Sequence, residues 1–263
     1  MKIIRSAACF MLLIALAGVA QTPKDSGAYQ KEATVSETKG VVHIAANSPR
    51  PLDQVLDALR LKYGWTVGYE DPQYTAAQDL TEGTSGNTAH LKFPSGGSFS
   101  VEFSANAPDE EKTLRQIVDT YNHSKNPGQF EVRSGAGKQF SVVGMAAHDE
   151  KGAMAPQSPP LDVQVTLPSE ERSLTDTLDL LCQEITKQSH IDVAVAVSPR
   201  SLLAKTTTKI GGKAQARELL IQILEATAHK LYWQLLYDPN SKGYFLSIHS
   251  LRTAEPAEAK PAH

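Results

Sequence analysis

The chain has 263 residues, 41% hydrophobic and 21% charged, the balance of one or two globular domains and not of a disordered chain. Its formal net charge of −3 argues against a nucleic-acid partner, which would need a basic surface.

Residues 1–20 read as an export signal. Lys2 and Arg5 form a positive front, an apolar run extends from Ala7 to Leu16, and Gly18 and Ala20 place small residues before a cleavage point after Ala20. The run is shorter than the ~20 residues of a spanning helix. No stable membrane span is therefore expected after cleavage; an uncleaved N-terminal anchor is the alternative. Cys9 lies in the run without a lipobox of small residues around it. Cleavage removes Lys2 and Arg5 and no acid, which moves the net charge of −3 by two, to −5. It leaves Cys182 as the one cysteine, with no partner for an internal disulfide. The expected location is periplasmic or secreted.

Residues 21–40 are polar and aperiodic, a flexible lead-in. Val41, Val42 and Ile44 mark a short strand. Pro51 opens a helix over 51–62, where its missing N–H would have no intrahelical partner anyway. Leu52, Val55, Leu56 and Leu59 give that helix one apolar stripe. Asp53 sits in its first turn and Arg60 and Lys62 in its last, as the helix dipole prefers, and Gly64 stops it. Trp65, Val67 and Tyr69 then alternate with Thr66, Gly68 and Glu70, a strand with one buried face. Residues 71–98 are rich in Gly, Ser and Thr and read as a loose insertion. Within it Leu91 and Phe93 are expected to pair, across Pro94 to Ser98, with Phe99, Val101 and Phe103. A second helix opens at Asp109, Glu110 and Glu111, with Leu114, Ile117, Val118 and Tyr121 as its stripe. Phe130 and Val132, then Phe140 and Val142, make a hairpin turning at Gly135, Ala136 and Gly137.

Residues 148–161 hold Gly152, Pro156, Pro159 and Pro160 and read as an inter-domain linker. Val163, Val165 and Leu167 alternate beyond it. Ser173, with Asp176 three residues on, resembles a capping box. The helix that follows carries Leu174, Leu178, Leu181, Cys182 and Ile185 on one stripe. Ile191, Val193, Val195 and Val197 form a strand, and the stretch from Thr206 to Ile210 favours β structure. A last helix over about 214–229 has Leu220, Ile223, Leu224 and Thr227 as its stripe. Strands over 231–237 and at Tyr244, Leu246 and Ile248 close the chain before a disordered tail at 252–263.

Two stretches repeat. Leu52, Leu56 and Leu59 align with Leu174, Leu178 and Leu181; Leu114, Ile117, Val118 and Tyr121 align with Leu220, Ile223, Leu224 and Thr227. The expected fold class is α+β: two tandem small domains, 41–147 with the insertion at 71–98, and 162–251. Each is a short mixed sheet with two helices packed on one face. A single α+β domain whose amphipathic helices look alike is the alternative.

From Leu219 to Ile248, the pairs Leu219-Leu220 and Ile223-Leu224, then Thr227, Leu231-Tyr232-Trp233, Leu236-Tyr237 and Tyr244-Phe245-Leu246-Ser247-Ile248 resemble the short domain at the N-terminus of secretins and TonB-dependent receptors, the STN domain. The first unit resembles it through Pro51, Leu52, Leu56, Leu59, Gly64, Trp65 and Val67. The resemblance implies small periplasmic domains that contact or assemble with partners: an envelope protein, a secretin or TonB-linked system, or a second copy. The barrel or pore that such domains usually precede has no room in this chain.

No catalytic pattern emerges. Eight histidines (His43, His90, His123, His148, His190, His229, His249 and His263) include no pair at helical spacing for a metal, although His229 and His249 fall at element ends in one unit. Cys182 lies on an apolar stripe and reads as a buried thiol. The carboxylate pairs Asp53/Asp57, Glu110/Glu111 and Glu170/Glu171 read as helix-start or surface charge. Ser134-Gly135-Ala136-Gly137-Lys138 lacks the full phosphate-loop pattern. Trp65 and Trp233 read as core anchors, with an exposed ligand-stacking face as the alternative. The expected function is a non-enzymatic interaction or assembly module without cofactor, metal or catalytic residues. The alternatives are a small-ligand or cell-wall binding module and a hydrolase whose residues converge only in three dimensions.

Overall fold

The computed structural model describes residues 32–251 apart from 85, 107 and 136–138. The expected signal at 1–20, most of the lead-in, the turn at 136–137 and the tail at 252–263 lie outside these residues.

The first half opens with the antiparallel pair β1 (Thr34–Thr38) and β2 (Val41–Ala46). Part of the expected flexible lead-in is thus a strand, held by pairing and not by burial, since all its residues are exposed. Helix α1 (Pro51–Tyr63) follows, its predicted stripe fully buried, and Gly64 ends it at φ 70° in the left-handed region that glycine adopts freely. After β3 (Gly68–Glu70) come the paired β4 (Leu80–Glu82) and β5 (Lys92–Pro94), then β6 (Phe99–Ser104). The expected hairpin between the Leu91–Phe93 region and Phe99 does not form. Phe99, Val101 and Phe103 pair with Ala46, Ile44 and Val42 of β2, where they reach the core, and Phe93 pairs with Thr81. Asp109 caps α2 (Glu110–Asn122), accepting from the Lys112 N–H at 2.8 Å. The predicted hairpin is β7 (Gln129–Ser134) with β8 (Phe140–His148).

The expected linker is structured. Its β9 (Met154–Pro156) pairs with β8, Gln157 exchanges two hydrogen bonds with the Gln73 backbone at 2.6 and 2.9 Å, and Leu161 is wholly buried. The second half holds β10 (Gln164–Leu167), β11 (Arg172–Ser173), α3 (Leu174–Ser189), β12 (Val193–Val195), the single turn α4 (Arg200–Leu203), β13 (Thr207–Thr208), β14 (Gly212–Gln215), α5 (Ala216–Glu225) and the hairpin of β15 (Leu231–Asp238) with β16 (Gly243–Ser250). Ser173 caps α3 through the Asp176 N–H at 3.1 Å.

The fold class is α+β, and both halves are wired alike. β2 pairs antiparallel with β6, as β10 does with β14. β3 lies parallel to β8 of the β7–β8 hairpin, as β12 lies parallel to β16 of the β15–β16 hairpin. The two strand triplets are then joined, because β15 runs parallel to β3 with Gln234 opposite Tyr69 and Leu235 opposite Glu70. Where the sequence suggests a sheet for each unit, one sheet runs β12-β16-β15-β3-β8-β7.

Alternation along these strands puts a core on each face. Tyr69 and Val142 pack with α1 and α2, while Trp233, Leu235, Tyr244 and Leu246 pack with α3 and α5. Strand β3 is consequently buried on both sides, not on one. Gly68 is required there: a Cβ would lie 2.2 Å from the Trp233 ring.

Candidate functional site

A groove of about 800 Å³ opens between α1, the start of β1, the stretch after β12 and the ends of β15 and β16. Its walls are apolar and open. Six large apolar residues are exposed among the described ones, and three of them, Val35, Leu61 and Val197, line this groove.

The floor is polar and comes from the flank of α1 beside its leucine stripe. Arg60 Nη1 reaches Asp57 at 2.5 Å and Asp53 at 3.4 Å, while its Nε and Nη2 donate to the Val67 carbonyl at 3.0 and 2.7 Å. The guanidinium lies 4.3 Å from the centre of the Tyr232 ring, and Tyr232 stacks on His249 at 5.1 Å. Burial, then the neighbouring Asp53, pushes the Asp57 carboxyl up to about 6, against the pull of Arg60. Burial, then Arg60, holds the His249 imidazole below its ordinary value. Gln54 is 3% exposed. Its Nε2 donates to the Asn47 and Pro49 carbonyls at 2.6 and 2.7 Å, and its Oε1 is left buried without a partner among the described residues.

Behind the floor, a charged seam joins the two halves. Asp71 accepts from Arg50 Nε at 2.6 Å, the Tyr69 hydroxyl at 2.8 Å and the Tyr237 N–H at 3.0 Å. Arg50 holds a left-handed backbone at φ 52°, and its Nη2 also donates to the Tyr237 carbonyl at 2.6 Å. Asp53 accepts twice from Gln234, at 2.8 and 2.9 Å. Glu70 accepts from Arg217 at 2.6 Å and from the Leu161 N–H at 3.1 Å. Burial raises the carboxyls of Glu70 and Asp71, and Arg217 and Arg50 oppose it. These carboxylates are fully buried and engaged from both halves. They hold β3 between its neighbours.

A second cavity of about 430 Å³ lies beside Trp65, which stacks on Tyr63 at 5.1 Å. Glu110 and Glu225 also line it, and burial, then Asp109, pushes the Glu110 carboxyl up to about 7.

The sequence nominated no site residue, and the residues it weighed are scattered. His229 lines the second cavity and His249 the groove, so they do not meet. His148 bonds Asp79 at 2.7 Å and His43 bonds Glu102 at 3.0 Å; His263 lies outside the described residues. Among the described residues no three His, Cys, Asp or Glu side chains converge to hold a metal. Cys182 is free and 3% exposed, and burial pushes its thiol up to about 12. Trp233 is buried in the second core. The Glu170/Glu171 pair is exposed and Glu111 bonds Arg115 at 2.7 Å, whereas Asp53, assigned a helix-dipole role, is wholly buried. The groove was missed because its apolar walls come from three distant stretches. A signal was present: Asp53, Asp57 and Arg60 stand on one flank of α1. No described helix is long and apolar enough to cross a membrane. The chain matches no protein-family model, no curated protein and no solved structure.

Proposed function

We propose that the protein is an exported, non-enzymatic docking module, built from two units of the secretin/TonB N-terminal kind, that binds a partner by adding a strand to β1. One contrast carries the reading. Three other outer strands are bonded by helix side chains. Asn122 bonds both the N–H and the C=O of Phe130 in β7, Gln116 bonds the Glu102 carbonyl in β6, and Thr186 bonds the Val193 N–H in β12. On β1 the backbone facing away from β2 meets no such side chain among the described residues, and the strand borders the apolar groove. An open edge beside apolar pockets is the arrangement of strand addition: main-chain bonds give affinity and the pockets give selectivity. The interior carboxylates are spent on joining the halves, which supports a binding role over a hydrolytic one.

The test is amide NMR on labelled protein screened against extended peptides. The expected outcome is that binding peptides shift the amides of Val35 to Thr38. Shifts confined to the Trp65 cavity, with cell-wall fragments as the binder, would favour the ligand-binding alternative, for which the Tyr63–Trp65 stack is the motivating feature.

A further inference from the structure

We propose that the groove beside β1 selects a partner segment whose groove-facing side chains combine a lysine or arginine, directed at the carboxylates of Asp57 and Glu32, with large apolar residues, directed at Leu61 and Val35. This rests on the docking reading above and specifies its partner. The apolar requirement follows from Val35 and Leu61, which are 43% and 58% exposed. The basic requirement follows from what the walls leave unspent. Lys62 is held by Glu37 at 2.9 Å, and Arg60 is held by Asp53, Asp57 and the Val67 carbonyl, so both cations of the groove are engaged. The open groups are acceptors. Asp57 is 32% exposed beside Arg60, and Glu32 at the rim forms no ion pair among the described residues. A charged donor from a ligand would make charge-assisted hydrogen bonds to these carboxylates. An acidic segment would instead face Glu32 and Asp57 with no free cation to neutralise it.

The spacing fits. Gln54, Ala58 and Leu61 follow one flank of α1, and the seven steps from Gln54 to Leu61 rise about 10 Å. In a strand, side chains on one face recur about every 6.7 Å. Such a strand spans the flank with a basic residue at one end and apolar residues two and four positions away. Val35 pairs with Ile44, a core residue, so the groove-side face of an added strand continues the core face of the sheet.

The test uses the whole protein and three capped peptides: Ser-Lys-Ser-Leu-Ser-Val-Ser, the same with Glu for Lys, and the same with Ser for Leu and Val. Affinity is read by titration and location by the β1 amides. The lysine peptide is expected to bind about tenfold tighter than either of the others. Leu61→Ser, at an exposed position, is expected to weaken it about tenfold, and Asp57→Asn about threefold. Equal binding of the Lys and Glu peptides, with β1 amides moving, overturns this inference and leaves the docking reading standing. If no peptide moves the β1 amides, both fall.

Discussion

At the scale of residues, the floor of the groove turns on one helical position. Aligning the first helices of the halves places Arg60 opposite Cys182. Cys182 faces a plain apolar core, whereas Arg60 lies under Tyr232 of β15 and draws Asp53 and Asp57 to it. The apolar stripe of α1 was legible in the sequence; the buried polar flank was not, because nothing local says that another strand will cover it. Asp57 carries a measurable consequence. Its carboxyl is raised to about 6 in the fold, so the folded state binds its proton more tightly than the unfolded chain does. That contribution is present below pH ~4, the unfolded value, and is lost as pH rises through 6. Around it stand Asp53, Arg60, Glu32 and, across the groove, His249. Asp57→Asn removes the titration. Its stability relative to the parent should therefore improve by roughly 2 kcal/mol between pH 4 and pH 8, allowing for partial exposure of the group. Urea unfolding at both pH values measures this; a gap that does not change with pH contradicts it.

At the scale of elements, the second helix of each half decides whether the neighbouring strand edge stays open. By the repeat, Asn122 and Arg115 of α2 correspond to Ala228 and Ile221. Asn122 and Arg115 bond the β7 backbone at Phe130 and Val132. Ala228 offers no such bond, α5 ends at Glu225, and the corresponding strand, β15, takes β3 as its partner instead. The repeat and its helices were readable from apolar spacing. The joining of the sheets was not, since it depends on two polar positions that periodicity ignores. Asn122→Ala should therefore release the Phe130 edge. The expected result is amide exchange at Phe130 faster by about five- to tenfold and a stability loss of ~1 kcal/mol, with β1 amides unchanged. Unaltered exchange at Phe130 would show that Asn122 does not close the edge.

At the scale of the molecule, the halves are coupled through a charged seam inside an apolar interface, and such seams fix geometry more than they stabilise. Arg217 illustrates this. Its Nη2 bonds both Glu70 at 2.6 Å and Asp162 at 2.9 Å, while its Nε and Nη1 are buried without hydrogen-bond partners among the described residues. Tyr74, from the insertion that the sequence marks as loose, and Leu161, from the expected linker, both lie in the second core. Composition misled here because glycine and proline describe how a segment turns, not what it packs against. The seam and these straps argue that the two repeat units unfold together. The two tryptophans of the chain test it, since Trp65 packs against the first core and Trp233 lies within the second. Each single-tryptophan variant, Trp65→Phe or Trp233→Phe, should give one urea transition at the midpoint that circular dichroism reports for the same variant. Arg217→Met should lower both midpoints together, corresponding to a stability loss of about 3–5 kcal/mol, because it leaves Glu70 buried and uncompensated. Adding Glu70→Gln should recover most of that loss, the desolvated charge having gone with its partner. Two separated transitions, or an Arg217→Met effect confined to the Trp233 signal, would mean that the halves stand independently and that the shared sheet transmits no stability between them.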